Sequence, residues 1–217
     1  VTGLVTLPTV STWSFFGQLV ILLLIQTGGL GVITIMSGLM ISLHRKIGIG
    51  ERILIQDAFN LNTLSGLVKF IKKVIAGTLV VEGIGAMLYM LVFVPQYGLR
   101  GVWISVFNSV SAFCNAGIDI LSENSLCEYS SNPAINLVTG ALIILGGIGY
   151  IVWWDVLRVL KNVRSYRYKC FRYLSLHSKI AIWSTLILIG AGAIAVFIFE
   201  YHNPLTLGGY SRWAKLE

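Results

Sequence analysis

The sequence predicts an all-α membrane protein made of pseudo-repeated units. Each unit is a basic loop, a span, a short re-entrant segment ending at a glycine, and a second span with a double-glycine motif, and the chain holds only part of the set. Three observations lead there. The 217 residues are 56% hydrophobic and 12% charged, with a mean hydropathy of +0.81, the composition of a chain whose solvent is lipid. Four windows, 1–43, 83–99, 129–154 and 180–199, contain no Asp, Glu, Lys or Arg. The chain also resembles itself: "LLLIQTGGLGVI" at 22–33 matches "GALIILGGIGYI" at 140–151 with an offset of 118. "KVIAGTLVVEGIGAMLYMLVF" at 73–93 likewise matches "IAIWSTLILIGAGAIAVFIFE" at 180–200 with an offset of 107, and a fixed spacing of this kind marks a repeated architecture.

A hydrocarbon core ~30 Å thick needs about 20 apolar residues of helix to cross it. On that length the elements follow in order. Residues 1–44 read as the end of a first repeat, a filter strand around "VTGL" at 1–4 and an inner helix over about 15–43; residues 45–65 are a basic connector. Residues 66–161 form a complete second repeat, with outer helix 66–94, pore helix 101–113, filter 114–118 and inner helix 134–160. A second basic connector, 162–176, leads to the start of a third repeat, 177–217, with outer helix 177–200. The amino end, "VTGLVTLPTV", has neither the basic start nor the initiating Met of a signal peptide and reads as though cut from something longer. The 107-residue offset places a further filter-like glycine near position 224, past Glu217.

The segment 101–113 carries the function. As a helix of 13 residues it would be ~20 Å long, too short to cross. Irregular backbone at membrane depth is tolerated only where protein buries it or it lines a water-filled cavity, so a helix that dips and returns as extended chain lines a pore. Its carboxyl end, aimed at Cys114 and Asn115, carries about half a negative charge, which favours a cation. Carbonyl oxygens that replace an ion's water shell must point inward, and this pushes residues to positive φ, where glycine has no Cβ penalty. Gly117 in "NAGI" and Gly3 in "VTGL", 114 residues apart, are the candidates; Val1, Thr2, Leu4, Asn115, Ala116 and Ile118 flank them. Asp119, just beyond, either raises the local cation concentration at a pore mouth or caps the following turn.

Charge supplies the orientation. Of sixteen basic residues, six (Arg45, Lys46, Arg52, Lys69, Lys72, Lys73) and seven (Arg158, Lys161, Arg164, Arg167, Lys169, Arg172, Lys179) fall in two loops and their flanks, leaving three elsewhere. The positive-inside bias makes those loops cytoplasmic in a multi-pass plasma-membrane protein. The net charge of +7 is therefore an orienting signal with contact to anionic headgroups, and no nucleic acid is expected as a partner. Even "RSYRYKCFRY" at 164–173, whose basic and aromatic mixture suits single strands, reads as a connector at the headgroups, or additionally as a contact for a regulatory subunit.

Other candidates have plain readings. The glycines of "GGLG" and "GGIG", Gly28, Gly29, Gly31, Gly146, Gly147 and Gly149, sit inside apolar spans with no preceding strand or following lysine; helix packing explains them better than a phosphate loop. Glu82, mid-span, must face protein or water, as a buried structural carboxyl or as a cation site. Asp155 stands at i, i+3 spacing from Arg158 and predicts a local ion pair. Trp103, Trp153, Trp154 and Tyr97 read as interfacial aromatics. Three cysteines on separated sides make no disulfide framework, the three histidines lack zinc-ligand spacing, and no nucleophile–base pair supports an intramembrane enzyme.

The motifs "VTGL" at 1–4, "IQTGGLG" at 25–31 and "SVSAFCNAGIDI" at 109–120, in that order, resemble the Trk/Ktr/HKT superfamily of potassium transporters, most nearly its bacterial Ktr/Trk membrane (pore) subunit. The resemblance covers nearly the whole chain. It implies a potassium-channel-like pore of four pseudo-repeats, with potassium held at the Gly3 and Gly117 carbonyls as the transported ion and no organic cofactor on this chain. It also implies a homodimer in the lipid bilayer, gated by a cytoplasmic nucleotide-binding regulatory ring. Two departures stand out: only two filter loops are present, the first without its pore helix, and the gating loop of the third repeat's inner helix is absent. The competing expectation is a non-conducting helical membrane scaffold or interaction protein.

Overall fold

A computed structural model describes residues 3, 7–31, 34–35, 38–39, 48, 50, 53, 67–122, 124–162 and 171–201. Val1, Thr2 and Leu4 of the expected first filter, most of the 45–65 connector, and Cys170 lie outside the described residues. Among those described, every regular element is helical: α1 (Thr9–Thr12), α2 (Phe15–Leu30), α3 (Leu67–Tyr97), α4 (Leu99–Phe113), a 3-10 turn at Ser125–Tyr129, α5 (Pro133–Gly147), α6 (Tyr150–Lys161) and α7 (Leu176–Glu200). Among the described residues two helices are long and apolar enough to cross a membrane, Val68–Tyr97 of α3 and Leu176–Glu200; α5 with α6 makes a third if the two form one broken span.

Local chemistry explains the boundaries. The Ser14 hydroxyl accepts the Gly17 N–H at 3.4 Å and caps α2; the Ser175 hydroxyl accepts the Ser178 N–H at 3.2 Å and caps α7. Both satisfy donors that a helix start leaves open. Gly98, at φ +60, turns the chain tightly between α3 and α4. A Cβ at Gly101 would strike the backbone of Phe93 and Val94, so this hairpin closes only with glycine there.

The two inner helices differ from the uninterrupted spans read over 15–43 and 134–160. Helix α2 ends at Leu30 with Gly31 at φ 80, ψ 138, and α5 ends at Gly147, with Gly149 at φ 92, ψ 145 standing before α6. These two glycines correspond across the 118-residue repeat and adopt nearly the same conformation, one that side-chain-bearing residues almost never take. A run of apolar residues fixes burial but does not reveal that the backbone turns there.

The chain divides into two compact units, Val1–Ser130 with Ala134–Gly147, and Ser131–Pro133 with Ile148–Glu217. In the first, α4 is the core element: Ile104, Phe107, Val110 and Phe113 are buried, as are the polar Ser105, Asn108, Ser109 and Ser111. Helix α3 contributes Ile71, Val74, Tyr89 and Phe93. The Phe93 ring stacks on Tyr89 at 5.6 Å and meets Tyr129 edge-on at 5.4 Å. The opposite side of α3 leaves Leu79, Ile84, Met87 and Leu91 exposed, which suits a surface facing apolar solvent. In the second unit Asp155 pairs with Arg158 and accepts the Ser175 N–H at 2.7 Å, tying the start of α7 to α6.

Candidate functional site

The site is built at the carboxyl end of α4. Fifteen residues give that helix a length of ~22 Å, short of a ~30 Å hydrocarbon core. Its carboxyl end closes as a Schellman motif. The Asn115 N–H donates to the Ala112 carbonyl at 3.2 Å and the Ala116 N–H to the Ser111 carbonyl at 2.9 Å, with Asn115 in the left-handed region at φ +54, as this motif requires. Gly117 follows at φ +67. Two residues at positive φ separated by Ala116 swing the chain off the helix axis, and the segment 116–119 forms no regular element.

Gly3 also has a positive φ, +78. The two glycines meet: a Cβ added at Gly3 would collide with the Gly117 carbonyl oxygen, so the Gly117 carbonyl faces the Gly3 turn at a separation only glycine permits. Gly117 thus meets Gly3, with Asn115, Ala116 and Ile118 beside it in the chain, while Val1, Thr2 and Leu4 lie outside the described residues. The Asp119 carboxylate accepts the Leu121 N–H at 3.1 Å through Oδ1 and the Ser125 hydroxyl through Oδ2, so it closes the turn after Ile118. A cavity of about 280 Å³ lies beside Gly117 and Asp119, lined also by Tyr89, Asn108, Ser111 and Thr139. The Thr139 hydroxyl donates to the Ile135 carbonyl at 2.7 Å, which makes Tyr89 the donor in the 2.6 Å bond between the two hydroxyls.

The glycine motifs take different parts. The Cβ positions of Gly29 and Gly146 are occupied, by the Cys114 side chain and by the Phe113 carbonyl respectively, so α2 and α5 both close on the end of α4 through glycine. A Cβ added at Gly147 would stand in ordinary contact distance of the Asn115 amide, 3.8 Å, and one added at Gly28 would meet nothing within 4 Å. Gly31 and Gly149 end helices, as described above.

Glu82 is buried against this same end. Its Oε2 accepts the Gln26 Nε2–H at 3.0 Å, its Oε1 lies 3.9 Å from Cys114 Sγ, and its carbonyl accepts the Ser109 hydroxyl at 2.7 Å. One residue of α3 therefore touches α2, α4 and the turn after α4. Two ties escaped the sequence reading. The Trp103 indole N–H donates to Gln18 Oε1 at 2.9 Å and its ring lies 4.8 Å from Phe15, so Trp103 fastens α2 to α4. The Ser111 hydroxyl accepts the Ile118 N–H at 3.0 Å. The available signal was polar residues inside apolar runs, Gln18 and Gln26, each of which needs a partner. In the 3-10 turn, Tyr129 donates to Gln96 and lies 3.3 Å from the Tyr97 hydroxyl. Burial, then the Tyr97 hydrogen bond, pushes its phenol up to about 12, so it remains a donor near neutral pH.

The arrangement offers backbone carbonyls at two glycine turns and a helix carboxyl end; among the described residues no group of three or more His, Cys, Asp or Glu side chains gathers as a metal site. Comparison with known proteins agrees with a transport role. A family model described as a cation transport protein, TrkH, matches residues 1–206. The chain is 41% identical over 209 residues to Ktr system potassium uptake protein B of Bacillus subtilis, covering 96% of this chain and 45% of that protein. It is 38% identical over 208 residues to potassium/sodium uptake protein NtpJ of Enterococcus hirae, covering 95% and 44%, and 30% identical over 209 residues to Ktr system potassium uptake protein B of Vibrio alginolyticus, covering 96% and 44%. The chain spans a little under half the length of these relatives.

Proposed function

Because the chain belongs to the TrkH family of cation transport proteins, we propose that it forms part of the membrane pore subunit of a potassium uptake system. The ion passes a filter of backbone carbonyls around Gly3 and Gly117. The observation that carries this reading is the meeting of two glycine turns, both at positive φ, beside the carboxyl end of a helix too short to cross. Carbonyls held by such turns replace ion hydration, and the helix end adds a favourable field for a cation. Potassium as the ion is supported by the names of the relatives, two of which are potassium uptake proteins and one a potassium/sodium uptake protein. Placement of the basic loops in the cytoplasm rests on their charge. The homodimer and the nucleotide-binding regulatory ring rest on the family likeness.

The test replaces Gly117 with Val in the full-length protein. A β-branched residue forced to φ +67 costs on the order of 1–3 kcal/mol locally, about 5- to 150-fold in the population of the conducting filter. Rubidium flux into liposomes falls by that factor, or the pathway admits sodium, while the detergent-solubilised protein keeps its oligomeric elution. Unchanged flux and unchanged selectivity refute the filter.

A further inference from the structure

We propose that Ser111 aims the filter carbonyls and is a positioning residue for ion discrimination. The inference rests on reading residues 114–118 as a filter and goes one step deeper, to what holds that filter in shape. Ser111 lies in the last turn of α4 and is buried. It makes two bonds to the segment that follows: its carbonyl accepts the Ala116 N–H at 2.9 Å and its hydroxyl accepts the Ile118 N–H at 3.0 Å.

Peptide planarity turns these two bonds into a statement about carbonyls. In a trans peptide the C=O of one residue points opposite to the N–H of the next, and no cis peptide occurs among the described residues. The Ala116 N–H directed at Ser111 therefore sends the Asn115 carbonyl away from α4, and the Ile118 N–H directed at Ser111 sends the Gly117 carbonyl away from α4. The Gly117 carbonyl then faces the Gly3 turn, where the close approach is found. A single buried side chain thus fixes the direction of the oxygen at the narrowest meeting of the two turns.

The two anchors differ in what can remove them. The Ser111 carbonyl survives any substitution, so the Asn115 carbonyl keeps its direction. The hydroxyl does not, and the peptide it holds, Gly117–Ile118, follows the residue with the widest choice of φ and ψ. Loss of the hydroxyl frees that one peptide to rotate and leaves the rest of the Schellman turn in place. The expected consequence is a filter that conducts but discriminates poorly.

The test uses the full-length protein in liposomes, with rubidium and sodium uptake measured side by side. Ser111→Ala removes the acceptor; replacing Ile118 with its α-hydroxy acid, a backbone ester, removes the donor from the other end without touching α4. Each lowers rubidium-over-sodium discrimination about 2- to 10-fold, the range one ordinary hydrogen bond spans, with rubidium flux still measurable. The ester also makes the Gly117 carbonyl a weaker acceptor, so a drop there supports Ser111 only beside a matching drop in the Ser111 variant; if Ser111→Ala does not yield folded protein, Ser111→Cys, whose sulfur is a weak acceptor, takes its place. Wild-type discrimination in the ester variant, or a drop in only one of two folded variants, overturns the role given to Ser111. Gly117→Val in the same assay separates the two levels. If it alters flux or selectivity while the ester variant is wild type, Ser111 falls and the filter stands; if neither moves, the filter reading falls with it.

Discussion

Gly146 and Gly147 are neighbours on α5, identical in residue type, and they answer differently to one added methyl group. At Gly146 a Cβ would overlap the Phe113 carbonyl oxygen and lie 2.8 Å from the Phe113 carbonyl carbon; at Gly147 its nearest neighbour is Asn115 Nδ2 at 3.8 Å, ordinary van der Waals contact. The obstacle at Gly146 is backbone at the end of α4, which cannot rotate aside as a side chain does. Either α5 retreats or the carboxyl end of α4 shifts, and overpacking of this kind costs about 1–3 kcal/mol. The gain in helix propensity on replacing Gly by Ala, about 1 kcal/mol, is shared by both variants and largely cancels between them. Gly146→Ala is therefore expected to be less stable than Gly147→Ala by about 1–3 kcal/mol. In a thermal unfolding series of the detergent-solubilised full-length protein this appears as a lower melting temperature for Gly146→Ala. Equal melting temperatures, or a more stable Gly146→Ala, would refute the packing of α5 against the α4 end.

Two further outcomes follow from the same geometry and from the charge pattern. Glu82→Leu removes the acceptor of the Gln26 Nε2–H and leaves a half-buried amide unpaired, so it destabilises by about 1 kcal/mol, whereas Glu82→Gln retains an acceptor and loses less; equal losses in chemical unfolding would contradict the bond. For topology, a membrane-impermeant thiol reagent labels Cys170 only from the cytoplasmic side in inside-out vesicles, and labelling from the outside would reverse the orientation.

The helical membrane class was legible because lipid imposes a coarse rule: long charge-free runs are needed, and the chain has them. The short helix before Cys114 was legible for the same reason, since 101–113 is apolar yet too short to cross; the structure starts it two residues earlier, at Leu99. What escaped was conformation inside apolar runs. Gly29 and Gly31 look alike in sequence, but one lies against Cys114 and the other ends a helix at φ +80, a distinction set by what packs nearby. Long-range polar ties also escaped. Trp103 reads as an interfacial aromatic until Gln18, 85 residues away, is found to accept its N–H. Ser111 sits in an unremarkable Ser-rich stretch, and its task emerges only from the direction of an amide seven residues on.

That the ion sits among the carbonyls at Gly3 and Gly117 is tested most directly by locating it. In a crystal of the full-length protein grown with rubidium, anomalous scattering is expected to place an ion in direct contact with the carbonyl oxygens of the turns at Gly3 and Gly117. Rubidium bound elsewhere along the conduction path, with both turns in contact only with protein side chains, would contradict the claim.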